Sequence, residues 1–538
     1  MTIWSIILIA AVALSCLLAG RILIHYFQLE SYQHPGYFRT VRRNAARSFL
    51  PGVILNAVWV IATIVFALVI PENNDWLLHL CVSAVLIGAG FLIRRLFTVR
   101  HAKKPLVYTP RIRRLYAVSF VVFIGILVLL ELLGNRGGGR TSSPFFWLFF
   151  LFPALLPLWV ALGGLIAWPI EKMISEMYFR DAQRILRERR DLIRIGITGS
   201  WGKTSVKFIL GTILEEKYHT LVTPSSFNTP MGVTRVIRSS LEPGHRVFVA
   251  EMGARHVGDI REMCRLVHPR YGMLTSVGPQ HLDTFKTLDR VKKTKYELMD
   301  AIPPDGACFF ADDGGICREL YDRTAKKRFL SGLDPERDDV WAEDISASPE
   351  GSRFMLCTRD MRIPCHTALL GELNIRNILL CASMALELGL SGEMIARGIA
   401  KLTPVEHRLQ LIPSAGGITI IDDAFNSNIR GAEQAFQVLK TFPRKRMVIT
   451  PGMVELGGEE YDMNRRFGRL MADGCDVAVL VGKKRSEAIA LGLKDQGFPE
   501  DQIHVVSSLD EATEYMRSVV RPGDTVLFEN DLPDNYTE

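Results

Sequence analysis

The chain has 538 residues with 64 Lys and Arg against 57 Asp and Glu, a formal net charge of +7, and 48% apolar residues. That length leaves room for several domains of roughly 100 to 200 residues each, and the apolar average hides a division, because the first third is very apolar and the rest has the balance of an ordinary α/β protein. Much of the excess positive charge sits in short loops between apolar runs, where it meets anionic lipid, which argues against nucleic acid as a partner.

Five segments are long enough to cross a bilayer as helices: Ile3 to Phe27, Leu50 to Ile70, Trp76 to Ile93, Tyr116 to Gly134 and Phe145 to Ile170. The first lacks the basic start of a cleaved signal peptide and stays apolar past a short hydrophobic region, so it reads as retained. Arg21 near its end can snorkel to the interface. The first loop carries Arg39, Arg42, Arg43 and Arg47, and the third carries Arg94, Arg95, Arg100, Lys103, Lys104, Arg111, Arg113 and Arg114. The second, PENND, is acidic, and the fourth, NRGGGRTSS, has two arginines. The basic loops belong in the cytoplasm. A multi-pass protein with its N-terminus outside and its large C-terminal part inside is therefore expected.

Residues 171 to 190 place Met173, Ile174, Met177, Tyr178, Ala182, Ile185 and Leu186 at three- and four-residue spacing, which predicts an amphipathic connector helix. The β-rich run LIRIGITG follows, then SWGKTSVKFILGTIL, which reads as a helix. Strand, glycine loop and helix form the context of a phosphate loop, in which backbone N–H groups and the helix N-terminus face phosphate oxygens. Ile197 stands where the generic pattern has its first glycine, so the loop is TGSWGKT. Thr198, Gly199, Ser200, Gly202, Lys203, Thr204 and Ser205 are the candidate nucleotide contacts, with Lys203 supplying charge and Thr204 a hydroxyl for Mg²⁺.

Beyond the loop, strand-like runs (245–253, 271–278, 417–424, 446–452, 476–482 and 524–530) alternate with helices. The expected fold is a membrane α-helical segment (1–170) and a linker (171–193) followed by α/β. The latter comprises a mostly parallel-sheet ATPase domain (194–405) and a smaller Rossmann-like domain (406–538). Polar groups gather at the carboxyl ends of the strands, where open α/β sheets bind ligands. Glu251 and His281 lie there, a carboxylate and an imidazole suited to a divalent ion. The nine cysteines form no CxxC pair and no zinc-spaced cluster, and read as reduced, mostly buried thiols.

TGSWGKT, NTPMGV (228–233), EMGARHVGDI (251–260), HLDTFKTLDRVKKTKYEL (281–298), GELNIRN (371–377), EHRLQ (406–410) and DDAFNSN (422–428) occur in order. In order and spacing this set resembles the Mur ligase family, over about residues 190 to 520. Within that family the likeness is greatest to the ligases that add D-alanyl-D-alanine to UDP-N-acetylmuramoyl-tripeptide. The resemblance implies ATP and Mg²⁺, with Lys203 at the terminal phosphates, Thr204 and Glu251 on magnesium, and His281 on a second magnesium. It puts a carbamylated lysine at Lys293, Asn377 beside adenine, and Arg408 and Asp423 on the nucleotide from the C-terminal domain, Asp423 at the ribose. Lys203, Lys293 and His281 are thus the catalytic candidates. Without the family likeness, Lys293 reads as one of three solvated lysines beside Lys292 and Lys295.

The chemistry so implied moves the ATP γ-phosphoryl onto a carboxylate and lets an amine displace phosphate. The expected substrates are a cell-envelope precursor or polymer carrying a carboxylate, and an amino acid or dipeptide. Membrane lipid and membrane-bound synthesis partners complete the set, at the cytoplasmic face of a bacterial inner membrane. The chain departs from the family at Leu373, where a histidine is usual, at Phe425, where tyrosine is usual, and at the end. There FENDLPDNYTE, with Glu529, Asp531, Asp534 and Glu538, replaces a basic stretch. The apolar segment also occupies the place of the UDP-binding domain. A ligase of the poly-γ-glutamate capsule type is the alternative substrate reading, and a non-catalytic nucleotide-binding scaffold or sensor the alternative class. A nucleotide-driven transporter is disfavoured, since no charge sits mid-span and no LSGGQ signature occurs.

Overall fold

The computed structural model describes residues 2–98, 105–134, 144–224, 227–348, 351–405, 407–413, 416–424, 428–454 and 456–530. Arg100, Lys103, Lys104, the 135–143 loop, Glu406, Phe425 and the tail bearing Asp531, Asp534 and Glu538 lie outside the described residues. The chain divides into two compact units, one ending at Glu176 and the other beginning at Met177.

Ala45–Val69, Asp75–Leu96 and Pro110–Gly134, all in the first unit, and Phe152–Glu188, which begins there and runs past Glu176, are long and apolar enough to cross a membrane. Ile3–Ala19 and Arg21–Leu29 make a fifth if the pair, bent by 49°, is one span. Two expected boundaries shift. The first segment breaks at Gly20, whose amide closes the preceding helix on the Cys16 carbonyl. The last begins near Phe152, with Pro144–Phe150 a separate short helix, because Pro153 cannot donate to a continuing helical ladder. The amphipathic stretch is also no separate element: it forms the C-terminal part of the 33-residue helix Leu156–Glu188, which continues through Pro169.

The second unit holds two sheets. The larger comprises β1 (Ile193–Thr198), β2 (Thr220–Val222), β3 (Val247–Glu251), β4 (Tyr271–Leu274), β5 (Ala307–Ala311), β6 (Arg328–Gly332), β7 (Val340–Ser348), β8 (Gly351–Cys357) and β9 (Arg362–Thr367). Its order is β2-β3-β1-β4-β5-β6-β7-β8-β9, parallel as far as β7 and antiparallel beyond. Strand alternation serves two cores. Val247 and Val249 face one, with Ile209 and Leu379. Phe248 and Ala250 face the other, with Met263 and Leu298. The smaller sheet is β10 (Gln410–Pro413), β11 (Thr419–Asp423), β12 (Arg446–Thr450), β13 (Val477–Val481), β14 (Ile503–Val506) and β15 (Thr525–Glu529), ordered β10-β11-β15-β12-β13-β14. Only β10 is antiparallel to its neighbour.

The chain passes from β3 to β4 across β1, so the sheet order reverses there and opens a crevice at the carboxyl ends of these strands. Register sets Ile197 of β1 beside Glu251 of β3, and Thr198 beside Leu274 of β4. The glycine loop therefore emerges between a buried carboxylate and the loop that carries His281.

Candidate active site

The loop after β1 is braced before it meets any ligand. The Ser200 amide donates to the Ser276 carbonyl at 2.9 Å, the Ser200 hydroxyl to the Gly278 carbonyl at 3.0 Å, and the Trp201 amide to Ser276 Oγ at 2.9 Å. The Thr198 hydroxyl is buried and donates to the Met252 carbonyl at 3.0 Å. The Thr198 and Ser200 side chains and the Ser200 amide thus shape the loop. The first turn of the helix Lys203–Leu214, whose leading N–H groups, including those of Thr204 and Ser205, have no partner within the helix, is suited to phosphate. Gly202 takes a left-handed φ of +80°, and a side chain at Gly199 would strike Thr275. Both positions require glycine.

Lys203 curls over the loop, its Nζ donating to the Gly199 carbonyl at 2.6 Å and the Ser200 carbonyl at 2.9 Å. Burial pushes its ammonium down to about 8 although Glu251 pulls the other way. Glu251 is buried at the end of β3. It accepts from Thr204 Oγ1 at 3.1 Å, Lys207 Nζ at 3.0 Å and Asn228 Nδ2 at 3.0 Å. Burial alone would raise its carboxyl, but the charges of Lys207 and Lys203 and the Asn228 hydrogen bond hold it below the ordinary value.

The helix Leu288–Ala301 sets its lysines in different surroundings. Lys293 is exposed, whereas Lys295, about 200° round the helix, is 2% exposed. Burial drives the Lys295 ammonium well below its ordinary value, the charge of Lys203 adds to this, and Asp259 and Glu251 oppose it. The sequence held the signal: Val291, Lys295, Leu298 and Met299 recur on the buried face, and Lys293 is out of phase with it. Lys207, one turn beyond Lys203 and also fully buried, was missed for the same reason, since a lysine on a helix suggests a solvated face.

His281 is half-buried with φ +52°, and its carbonyl accepts from the Thr284 and Phe285 amides at 3.0 Å each. Asn377 lies buried on the helix Glu372–Glu387. Its Oδ1 is 3.2 Å from where a Cβ on Gly202 would stand. Arg408 sits between His407 and Leu409, two non-glycine residues at φ +60° and +45°. Burial lowers its pKa while Asp423 and Glu251 oppose. Asp423 ends β11 and accepts from the Leu409 amide at 3.1 Å. Its carboxyl is pushed up to about 6 by burial, against the pull of Leu409, Arg408 and a hydrogen bond with Glu529.

Thr204, Asn377, Arg408 and Asp423 line a cavity of about 460 Å³, with Trp201, Phe208 and Leu373 as apolar walls. An apolar pocket with a few convergent polar groups beside a phosphate loop has the form of a nucleotide site. Trp201 fills space: its indole lies against Gly278, where a Cβ would overlap the ring, and the Arg430 guanidinium stands 5.9 Å from the ring centre. Leu373 adds an apolar wall. Among the described residues no group of three His, Cys, Asp or Glu could by itself hold a metal. The Thr204 hydroxyl with the Glu251 carboxylate suits Mg²⁺, which keeps waters and substrate phosphates as its other ligands.

The Mur ligase middle domain matches residues 197–385, and the Mur ligase glutamate ligase domain matches residues 407–529. A UDP-N-acetylmuramoyl-tripeptide–D-alanyl-D-alanine ligase of Mycobacterium tuberculosis is 32% identical over 357 residues, spanning 62% of this chain and 69% of that protein. The chain belongs to the Mur ligase family. It is an ATP-dependent acid–amino-acid ligase of that family, whose members use ATP and Mg²⁺. MurF from Acinetobacter baumannii superposes with a TM-score of 0.60 at 26% identity, covering 67% of this chain and 78% of that one. The MurF ligase of Thermotoga maritima in complex with ADP shares the fold, with a TM-score of 0.59 at 23% identity over 66% of this chain and 80% of that one.

Proposed function

We propose that this Mur ligase is a membrane-anchored enzyme that activates a carboxylate of a cell-wall precursor as an acyl phosphate and joins it to an amino acid or dipeptide. The convergence of Lys203, Thr204, Glu251 and Lys295 on one edge of the sheet, beside the nucleotide cavity, carries the reading. Adenine lies by Asn377, the ribose hydroxyls donate to Asp423, and Arg408 neutralises phosphate. Thr204 and Glu251 hold Mg²⁺, which supplies charge neutralisation on the phosphates, and His281 is the nitrogen donor for a second ion.

Lys203 leaves its two carbonyls for the terminal phosphates as a carboxylate oxygen of the acceptor attacks the γ-phosphorus and ADP departs. The amine nitrogen then attacks the acyl carbon, phosphate leaves with the C–O bonding pair, and the amine loses a proton. Lys295 takes the carbamate role, in place of Lys293. A buried lysine with a depressed pKa presents the neutral amine that adds to CO2, releasing one proton and leaving an anion among cations.

The apolar helices of the first unit and the basic loops between them support insertion in a bacterial cytoplasmic membrane with the catalytic unit on the inner side. That placement favours a lipid-linked or growing peptide acceptor, handled alongside membrane-bound synthesis partners. The relative from M. tuberculosis supports a muramoyl-peptide carboxylate and a D-alanyl dipeptide as the first pair to try. In the test, detergent-solubilised full-length protein receives ATP, Mg²⁺ and a panel of carboxylates and amines, and products are read by mass spectrometry. ADP release that requires both partners supports ligation. Nucleotide binding with no pair stimulating ADP formation refutes it.

A further inference from the structure

The first unit contains a feature that ligation does not use. A cavity of about 360 Å³ is bordered by Arg21, Arg94 and Arg113, with Tyr108 and Tyr116 beside them. The three arginines come from three helices: Arg21 just past the bend in the first pair, Arg94 in the last turn of Asp75–Leu96, and Arg113 in the first turn of Pro110–Gly134. Arg94 and Arg113 stand at the helix ends that flank the basic third loop, and Arg21 opens the helix that follows the Gly20 bend. Leu14, Leu17 and Leu18 complete the wall, seven, four and three residues before Arg21, so an apolar stripe leads away from the charged end.

Neighbouring cations show what is unusual. Arg111 and Arg114 share a counter-ion, Glu171, at 3.6 and 2.6 Å. Among the described residues no carboxylate pairs with Arg21, Arg94 or Arg113. Arg21 is instead oriented by neutral oxygens, donating to Tyr108 Oη at 3.3 Å and Thr98 Oγ1 at 3.0 Å. Tyr108 stacks on Tyr116, ring centres 6.0 Å apart. Three guanidinium groups around one cavity repel one another unless an anion joins them, and guanidinium matches phosphate in geometry.

We propose that this cavity binds the phosphate headgroup of an anionic phospholipid, with an acyl chain along Leu14, Leu17 and Leu18. The assignment rests on the reading that the first unit is embedded in a bilayer. Arg21, Arg94 and Arg113 take the phosphate oxygens, and the tyrosine hydroxyls donate to the same group. Basic pockets between membrane helices on the cytoplasmic side are suited to such headgroups.

The test uses full-length protein reconstituted in nanodiscs of phosphatidylcholine with phosphatidylglycerol, released into detergent and examined by native mass spectrometry. The site predicts discrete retention of phosphatidylglycerol, lowered roughly tenfold or more in the Arg94→Gln/Arg113→Gln double variant. An Arg42→Gln/Arg95→Gln double variant, which removes the same charge away from the cavity, keeps it. Equal loss in both pairs overturns the site in favour of bulk attraction. Equal retention of phosphatidylcholine, or displacement by millimolar inorganic phosphate alone, overturns the lipid assignment. Entry into nanodiscs and an unchanged far-ultraviolet circular dichroism spectrum for every variant verify folding of the first unit. Failure of the wild type to enter nanodiscs would refute the bilayer reading itself, whereas entry without lipid retention would refute only the headgroup site.

Discussion

Glu251 and Asp423 are two carboxylates, one buried and one half-buried, at the carboxyl ends of strands in two mostly parallel sheets, and their pKa values are shifted in opposite directions. Glu251 collects Thr204, Lys207 and Asn228 as donors and is held below its ordinary pKa. Asp423 has the Leu409 amide, Arg408 and a shared hydrogen bond with another carboxyl group, Glu529, and is pushed up to about 6. Desolvation acts on both, so the supply of donors and cations decides the direction in which each carboxyl is shifted. The first cluster holds its charge through protein donors alone, and on the proposed reading a ligand's hydroxyl groups complete the second.

The comparison breaks most severely at the loop. Lys203→Ala should lower ligation by about a thousandfold or more while leaving the fold intact, measured as ADP release with both substrates present; activity within tenfold of wild type would refute the loop assignment. Next, Glu251→Gln leaves the Lys207 ammonium buried without its counter-charge and should cost about 3–5 kcal/mol in urea unfolding. Replacing both, as Glu251→Gln with Lys207→Met, should recover most of that loss, and no recovery would show that the pair is not the cause. Lys295→Ala should reduce ligation about a hundredfold and regain activity with added short carboxylic acids, whereas Lys293→Ala should stay within about twofold. The reverse pattern would restore the exposed lysine to the chemistry.

The second carboxylate gives the smallest effect, and its sign differs from that of a salt-bridged acid. Its folded pKa lies above the unfolded value, so between roughly pH 4 and 6 the folded state binds more protons and stability falls as pH rises. Above that window the penalty is constant. Asp423→Asn should remove the slope and add about 1–3 kcal/mol near pH 8 while weakening nucleotide binding. In the wild type, nucleotide affinity should improve as pH rises through about 6. A pH-independent affinity over that range would count against a ribose contact at Asp423.

Much of this was legible before the structure. Apolar length and loop charge marked the helices of the first unit, and TGSWGKT with Glu251 pointed to the sheet edge where the glycine loop meets a buried carboxylate, because strand, glycine and helix form a local pattern. Lys295 and Lys207 were not read, since composition treats every helical lysine as solvated and only the phase of neighbouring Val291 and Leu298 distinguishes them. The bracing of Ser200 by Ser276 was invisible because it joins residues 76 positions apart in the chain. The break at Gly20 escaped notice because an apolar run says nothing about where a helix bends.

The resting contacts of Lys203 have a thermochemical consequence. With its ammonium near a pKa of about 8 and held, among the described residues, by two neutral carbonyls, the side chain is partly deprotonated in mildly alkaline solution. An arriving phosphate anion raises that pKa, so nucleotide binding near pH 8 should draw up to about half a proton from solution. Titration calorimetry in buffers of different ionisation heat should then give apparent enthalpies that differ in proportion, a signature that Lys203→Ala abolishes.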